Sequence, residues 1–136
     1  FRRVLFRSET LYDTFKTISN YVDAIIIRHP DYNLVSKSLQ NINIPIVNAG
    51  FGNWEHPTQS LIDFYTFYKC ISKSLNKIKI ALVGDLNTRT AQSLIKLANK
   101  FNTSLFLINY TAYPLEEERK KFYDSLNNNI KYFSKY

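Results

Sequence analysis

Short unbroken apolar runs alternate with amphipathic stretches along most of this chain. The runs at 24–27, 44–47, 78–83 and 104–108 are rich in Ile, Val and Leu. Such segments, lacking the in–out alternation of a half-exposed strand, predict strands buried on both faces of a parallel sheet. Between them the period changes. Leu11, Phe15 and Ile18 form one stripe of a helix reaching about Tyr21, opened by Thr10 with Asp13 three residues on, the spacing of a capping box. Asp31 can cap a helix through Leu39. From Pro57 to about Ser72 the residues Leu61, Ile62, Phe64, Tyr65, Phe67, Tyr68 and Ile71 leave almost no polar face, so this helix is expected to be buried on most sides. A further helix follows 84–89 and runs to about Phe101. Another starts near Pro114, with acids at 116–118 and bases at 119–121, the order a helix dipole favours. The tail from Ile130 fits the start of another strand.

Strict alternation of strand and helix predicts an α/β fold: parallel sheets with alternating helices and right-handed crossovers, comprising parts of two Rossmann-like domains. In such sheets ligands bind beyond the carboxyl ends of the strands. Three polar clusters fall there: Arg28-His29-Pro30, Asn48-Ala49-Gly50 and the run from Asp85 to Arg89. Directly after the second comes His56-Pro57-Thr58-Gln59. Proline is tolerated best at the first helical position, which puts His56 at the helix start and Gln59 within its first turn. Unpaired N–H groups and the positive end of the dipole gather at the same place, which suits an anion.

Composition narrows the function little. The 136 residues carry a net charge of +7, but the bases are scattered and Lys-dominated, without a recognition signature, so a nucleic-acid partner is not expected. Cys70 is the only cysteine; it excludes an intrachain disulfide or a cysteine metal cluster, and on an apolar helix it is expected to be a buried small hydrophobe. No run is long enough to span a membrane, and nothing resembles a signal peptide, so a reducing cytoplasm is the expected compartment. With no Met anywhere, the chain reads as part of a longer product.

The motifs, taken in order, resemble the aspartate carbamoyltransferase family. They are Glu9-Thr10-Leu11-x-Asp13-Thr14, Tyr21-x-Asp23-Ala24, Ile27-Arg28-His29-Pro30, Pro45-Ile46-Val47-Asn48-Ala49-Gly50, His56-Pro57-Thr58-Gln59-x-Leu61-x-Asp63-x-x-Thr66, and Val83-Gly84-Asp85-Leu86 with Arg89-Thr90 and Ser93. The resemblance runs from about residue 8 to about 108. The sister ornithine carbamoyltransferases share the His-Pro-x-Gln element but are less similar around Arg28 and Asn48.

The resemblance implies transfer of a carbamoyl group from carbamoyl phosphate to L-aspartate, in de novo pyrimidine synthesis, with no metal or other cofactor. It further implies that Arg28, His56 and Gln59 bind carbamoyl phosphate, with His56 polarising the carbonyl as the catalytic group and the Gln59 oxygen holding the carbamoyl NH₂. Arg89 would hold an aspartate carboxylate, and closure between domains would align amine and carbonyl. By the same resemblance, residues 1–72 are the second half of a carbamoyl-phosphate domain with the linking helix, 73–136 the first part of an aspartate domain, and the whole enzyme a homotrimer with shared sites. Taken singly, Arg28 and Arg89 fit solvated charges, His56 a helix cap, His29 a structural residue, and Trp54 a core residue.

The sequence departs from the family in several places. The early Ser-Thr-Arg-Thr run, the later aspartate-binding arginine and the His-Pro-Leu-Pro loop are absent. Residues 1–7 do not look like the family and are read as foreign sequence or a translation artefact; Arg7 stands where the family has a lysine. Phe51 replaces an acid, and the loop after Leu86 is about one residue short. A sheet without its neighbouring strands has open edges, so the isolated chain is expected to be aggregation-prone and without turnover. The rival readings are an ornithine carbamoyltransferase, a non-catalytic relative serving binding or assembly, and a basic nucleic-acid module with salt-sensitive binding.

Overall fold

The computed structural model describes residues 9–110, 112–126 and 130–134; the leading segment 1–7 and Arg7 lie outside them. The chain divides into two compact units, Phe1–Gly52 and Asn53–Tyr136.

In the first unit the capping box forms as expected. The Thr10 hydroxyl accepts from the Asp13 amide at 3.2 Å, and the Asp13 carboxylate accepts from the Thr10 amide at 3.1 Å. The hydrogen bonds from Thr10 hold the Asp13 carboxyl below its ordinary pKa. Helix α1 (Leu11–Ile18) ends short of Tyr21. Ser19 and Asn20 turn their side chains back onto the Lys16 carbonyl, at 2.8 and 3.1 Å, and compete with the backbone for it. Strand β1 (Ile25–His29), helix α2 (Tyr32–Ser38) and strand β2 (Ile46–Phe51) follow. Asp31 caps α2 by accepting from the Leu34 amide at 2.9 Å.

β1 and β2 pair in parallel, Ile25 opposite Ile46 and Ile27 opposite Asn48. β2 does not stop at the 48–50 cluster; it continues to Phe51. A small core of Phe15, Ile27, Val35 and Phe51 closes one side of this ribbon.

The second unit contains helix α3 (Pro57–Cys70), a short 3₁₀ turn (Leu75–Lys77), strand β3 (Lys79–Gly84), helix α4 (Arg89–Lys100), strand β4 (Ser104–Asn109), helix α5 (Glu117–Asp124) and strand β5 (Ile130–Ser134). All pairings in its sheet are parallel, with β4 between β3 and β5. The parallel α/β architecture is therefore as expected, and the tail does form a strand. The core joins Leu105 and Leu107 of β4 to Leu94, Ile95 and Ala98 of α4, Tyr123 of α5, Leu86 and Phe64. Each buried Leu, Ile or Phe of this core contributes about 1.5–3 kcal/mol relative to exposure.

Burial is where the structure corrects the sequence reading. The strands are covered on one face only: in β1, Ile26 is 72% exposed while Ile27 is buried. In β3, Ala81 and Val83 face outward while Ile80 and Leu82 pack on the core. α3 is not buried on most sides. It buries Ser60 and Phe64, and Leu61, Ile62, Tyr65, Tyr68 and Ile71 are exposed. Cys70, at its end, is exposed as well, not a core hydrophobe. An apolar run is covered only where another element is available to pack on it, and the described residues supply one covering layer per sheet. α3, which the resemblance assigns to the first domain, falls in the second unit and packs on α4.

Candidate functional site

In the first unit Arg28 occupies the penultimate position of β1, exposed, where the pairing register shifts between Ile27 and His29. Such an irregularity at a strand end re-aims a side chain. The neighbouring turns are fixed locally. His29 Nδ1 accepts from the Asp31 amide at 3.0 Å, and the Gly52 amide donates to the His29 carbonyl at 2.9 Å. Gly52 has φ +54°, and a Cβ there would lie 3.2 Å from the Pro30 carbonyl oxygen, so this close approach needs glycine. Asn48 closes its own turn by accepting from the Gly50 amide at 2.8 Å. His29 thus holds a turn, the structural role its sequence position suggested.

In the second unit His56 is the N-cap residue of α3 and Pro57 its first helical residue, as the sequence predicted. The His56 side chain makes no capping bond, so capping does not account for it. Its backbone N–H donates instead to the Ser93 hydroxyl of α4, 2.7 Å away. Thr58 Oγ1 lies 3.2 Å from His56 Nδ1; a hydroxyl donating there leaves the ring proton on Nε2. One turn on, Gln59 Nε2 donates to Asp63 Oδ1 at 3.1 Å. An ionised carboxylate only accepts, so the Gln59 NH₂ is committed to Asp63 and Oε1 remains as the amide's acceptor.

Arg89 is the first residue of α4, beyond the carboxyl end of β3. The loop that places it is tightly tied. Asp85 accepts from the Asn87 amide at 2.9 Å, Thr88 caps α4 by accepting from the Ala91 amide at 3.3 Å, and Asn109 accepts from the Leu86 amide at 3.3 Å. Asn87 reaches across to Pro114 and Glu116, at 3.0 and 2.9 Å. Tyr123 donates its buried hydroxyl to the Leu86 carbonyl at 2.8 Å, and burial pushes its pKa up to about 12.

A hollow of about 640 Å³ opens beside this loop, lined in part by Arg89, Asn53, Trp54, Thr90, Glu116 and Arg119. His56 and Gln59 are not among its lining residues. The second unit therefore joins the His56 helix start to the helix bearing Arg89 through Ser93, while Arg28 belongs to the other unit. Sequence reasoning passed over Arg119 and read Trp54 as core. Trp54 is in fact exposed, and the Arg119 guanidinium lies 5.7 Å from its ring centroid. The acids-then-bases pattern at 116–121 gave a helix start but no sign of where Arg119 would reach.

Among the described residues no set of three or more His, Cys, Asp or Glu side chains could hold a metal ion, and no helix is long and apolar enough to cross a membrane.

In the second unit a parallel α/β fold places His56 at a helix start beside Thr58, with an oriented Gln59 one turn later, in the setting the sequence marked for an anion. Comparison with known proteins makes this specific. The family model "Aspartate/ornithine carbamoyltransferase, carbamoyl-P binding domain" matches residues 4–69, and the chain belongs to the aspartate/ornithine carbamoyltransferase family. It is 43% identical over 113 residues to the aspartate carbamoyltransferase catalytic subunit of Archaeoglobus fulgidus, a match covering 82% of this chain and 38% of that protein. To the chloroplastic aspartate carbamoyltransferase of Arabidopsis thaliana it is 40% identical over 121 residues, covering 88% and 31%. The crystal structure of Trypanosoma cruzi aspartate transcarbamoylase with carbamoyl phosphate superposes with a TM-score of 0.76 at 31% identity, over 94% of this chain and 41% of that one. The same enzyme with N-(phosphonacetyl)-L-aspartic acid gives 0.71. The chain thus spans about two fifths or less of the relatives it matches.

Proposed function

We propose that this chain forms part of an aspartate carbamoyltransferase catalytic chain, which transfers the carbamoyl group of carbamoyl phosphate to L-aspartate, giving N-carbamoyl-L-aspartate and phosphate. The observation that carries the reading is the start of α3. There His56 is fixed through its backbone to Ser93, and its ring makes no cap. Beside it Gln59 has its NH₂ turned to Asp63.

The chemistry follows from these groups. The aspartate amine attacks the carbamoyl carbon, the carbonyl oxygen gains negative charge, the bond to the phosphate oxygen breaks, and the proton lost by the amine leaves with the phosphate. A proton on His56 Nε2 stabilises the developing oxyanion; such a donor is worth about 3–4 kcal/mol in the transition state. Gln59 Oε1 accepts from the carbamoyl NH₂ and fixes its plane. Arg28 offers a two-pronged guanidinium to carbamoyl phosphate, and Arg89 one to an aspartate carboxylate. Holding both substrates in line converts an encounter into a positioned reaction.

In this reading residues 1–72 contribute to a carbamoyl-phosphate domain and 73–136 to an aspartate domain. The enzyme works as a homotrimer in the cytoplasm, in pyrimidine synthesis. The relatives named as aspartate carbamoyltransferases, and the Trypanosoma cruzi structures with carbamoyl phosphate and with N-(phosphonacetyl)-L-aspartic acid, support the choice of acceptor.

The test is to express the longest reading frame containing this chain and supply carbamoyl phosphate with either L-aspartate or L-ornithine. Carbamoyl aspartate is the expected product. Product with ornithine alone would reassign the acceptor, and no product with either would favour a non-catalytic relative.

A further inference from the structure

We infer that Arg119 is a positioning residue for carbamoyl transfer, a strut that sets the distance between the start of α3 and the Arg89 end of α4. The inference rests on the proposed activity and extends it to a residue outside the family motifs quoted above.

Arg119 lies on α5, and its side chain is only 10% exposed. A guanidinium so enclosed needs acceptors, and it has them on separate elements. One Nη donates to the side-chain oxygen of Gln92 on α4. The other donates to the Asn53 carbonyl, 3.1 Å away, on the approach to α3. Nε lies 3.8 Å from a Glu116 carboxylate oxygen, and the plane sits over Trp54.

These partners are placed at informative points. Asn53 and Trp54 precede His56 by three and two residues. Gln92 is 3% exposed and stands between Arg89 and Ser93 on α4. Ser93 in turn receives the His56 amide. The segment entering α3 is therefore clamped to α4 twice, at 53–54 through Arg119 and at 56 through Ser93. With one clamp gone the segment can pivot about the other. His56 and Gln59 then shift against Arg89 while the core around Ile95 and Leu107 stays packed. Arginine suits the task because its rigid planar fork serves two acceptors at once, which a lysine ammonium on a flexible stem does not reproduce.

A misplacement of about 1 Å in a two-substrate site can cost about a hundredfold in rate. The experiment compares wild type, Arg119→Lys and Arg119→Met in the longest reading frame containing this chain. It measures kcat and both KM values per folded molecule, and amide hydrogen exchange across 53–60. Loss of the strut should lower kcat at least tenfold in Arg119→Met, and several-fold in the more conservative Arg119→Lys. KM for carbamoyl phosphate should stay within about twofold, and the 53–60 amides should exchange faster while those of β4 do not. Should Arg119→Met not fold, Arg119→Lys carries the same readouts.

A wild type that makes no carbamoyl aspartate overturns the functional reading. A wild type that does, with variants that keep kcat or exchange at 53–60 as before, overturns the role of Arg119 and leaves the reading intact.

Discussion

The backbone amide of His56 donates to the hydroxyl of Ser93 across 2.7 Å, joining two helix segments 37 residues apart in the chain. This bond uses the backbone donor of His56 for position, while the imidazole meets the Thr58 hydroxyl through Nδ1.

Removing the acceptor tests it. Ser93→Ala leaves a partly buried N–H without its partner, which costs about 1–3 kcal/mol. The urea unfolding midpoint of the longest reading frame should fall accordingly with an unchanged slope, and kcat should fall with it. Ser93→Thr keeps the hydroxyl and should recover most of both.

The orientation of Gln59 is a second test. Asp63→Ala frees the amide, so that its oxygen no longer holds one direction. KM for carbamoyl phosphate should rise several-fold with a smaller change in kcat. His56→Ala should behave in the opposite manner, lowering kcat about a hundredfold or more through loss of an oxyanion donor. Steady-state kinetics separate the two; equal effects on kcat and KM in both variants would contradict the assigned roles.

Alkaline pH provides a test of packing. Burial raises the Tyr123 pKa from 10.0 to about 12. The folded state therefore keeps its proton where the unfolded state has lost it. The stabilisation is complete below about pH 10 and declines as pH rises from 10 toward 12, by on the order of 2–3 kcal/mol. Tyr123→Phe cannot ionise and also loses the bond to the Leu86 carbonyl. It should be less stable by about 1 kcal/mol at pH 8, with a gap that narrows or reverses near pH 12. Denaturant titrations at the two pH values measure this.

The exposed face of α3 predicts association. Ile62 and the C-cap residue Ile71 are 60% and 66% exposed, and Leu61 and Tyr65 are exposed as well. Ile62→Glu with Ile71→Glu should raise the monomer fraction of the 136-residue chain in sedimentation or light scattering. Its unfolding free energy should change by less than about 0.5 kcal/mol per site, as for ordinary surface changes. A large loss of stability would mean that this face is covered.

Local chemistry was legible before any coordinates. Apolar runs and helical stripes gave the element order, Thr10 and Asp13 gave a capping box, and Pro57 put His56 at a helix start, because each depends on residues within a turn of one another. Burial was not legible in the same way. Ile26, Cys70 and most of α3 look like core, yet hydrophobicity only makes coverage favourable; it does not supply the covering element. Nor could the sequence disclose that Arg119 would reach Gln92 and Asn53, 27 and 66 residues away. Which distant acceptors a buried guanidinium meets is settled by how β3, β4 and β5 stack their helices, and that geometry exists only once the sheet has formed.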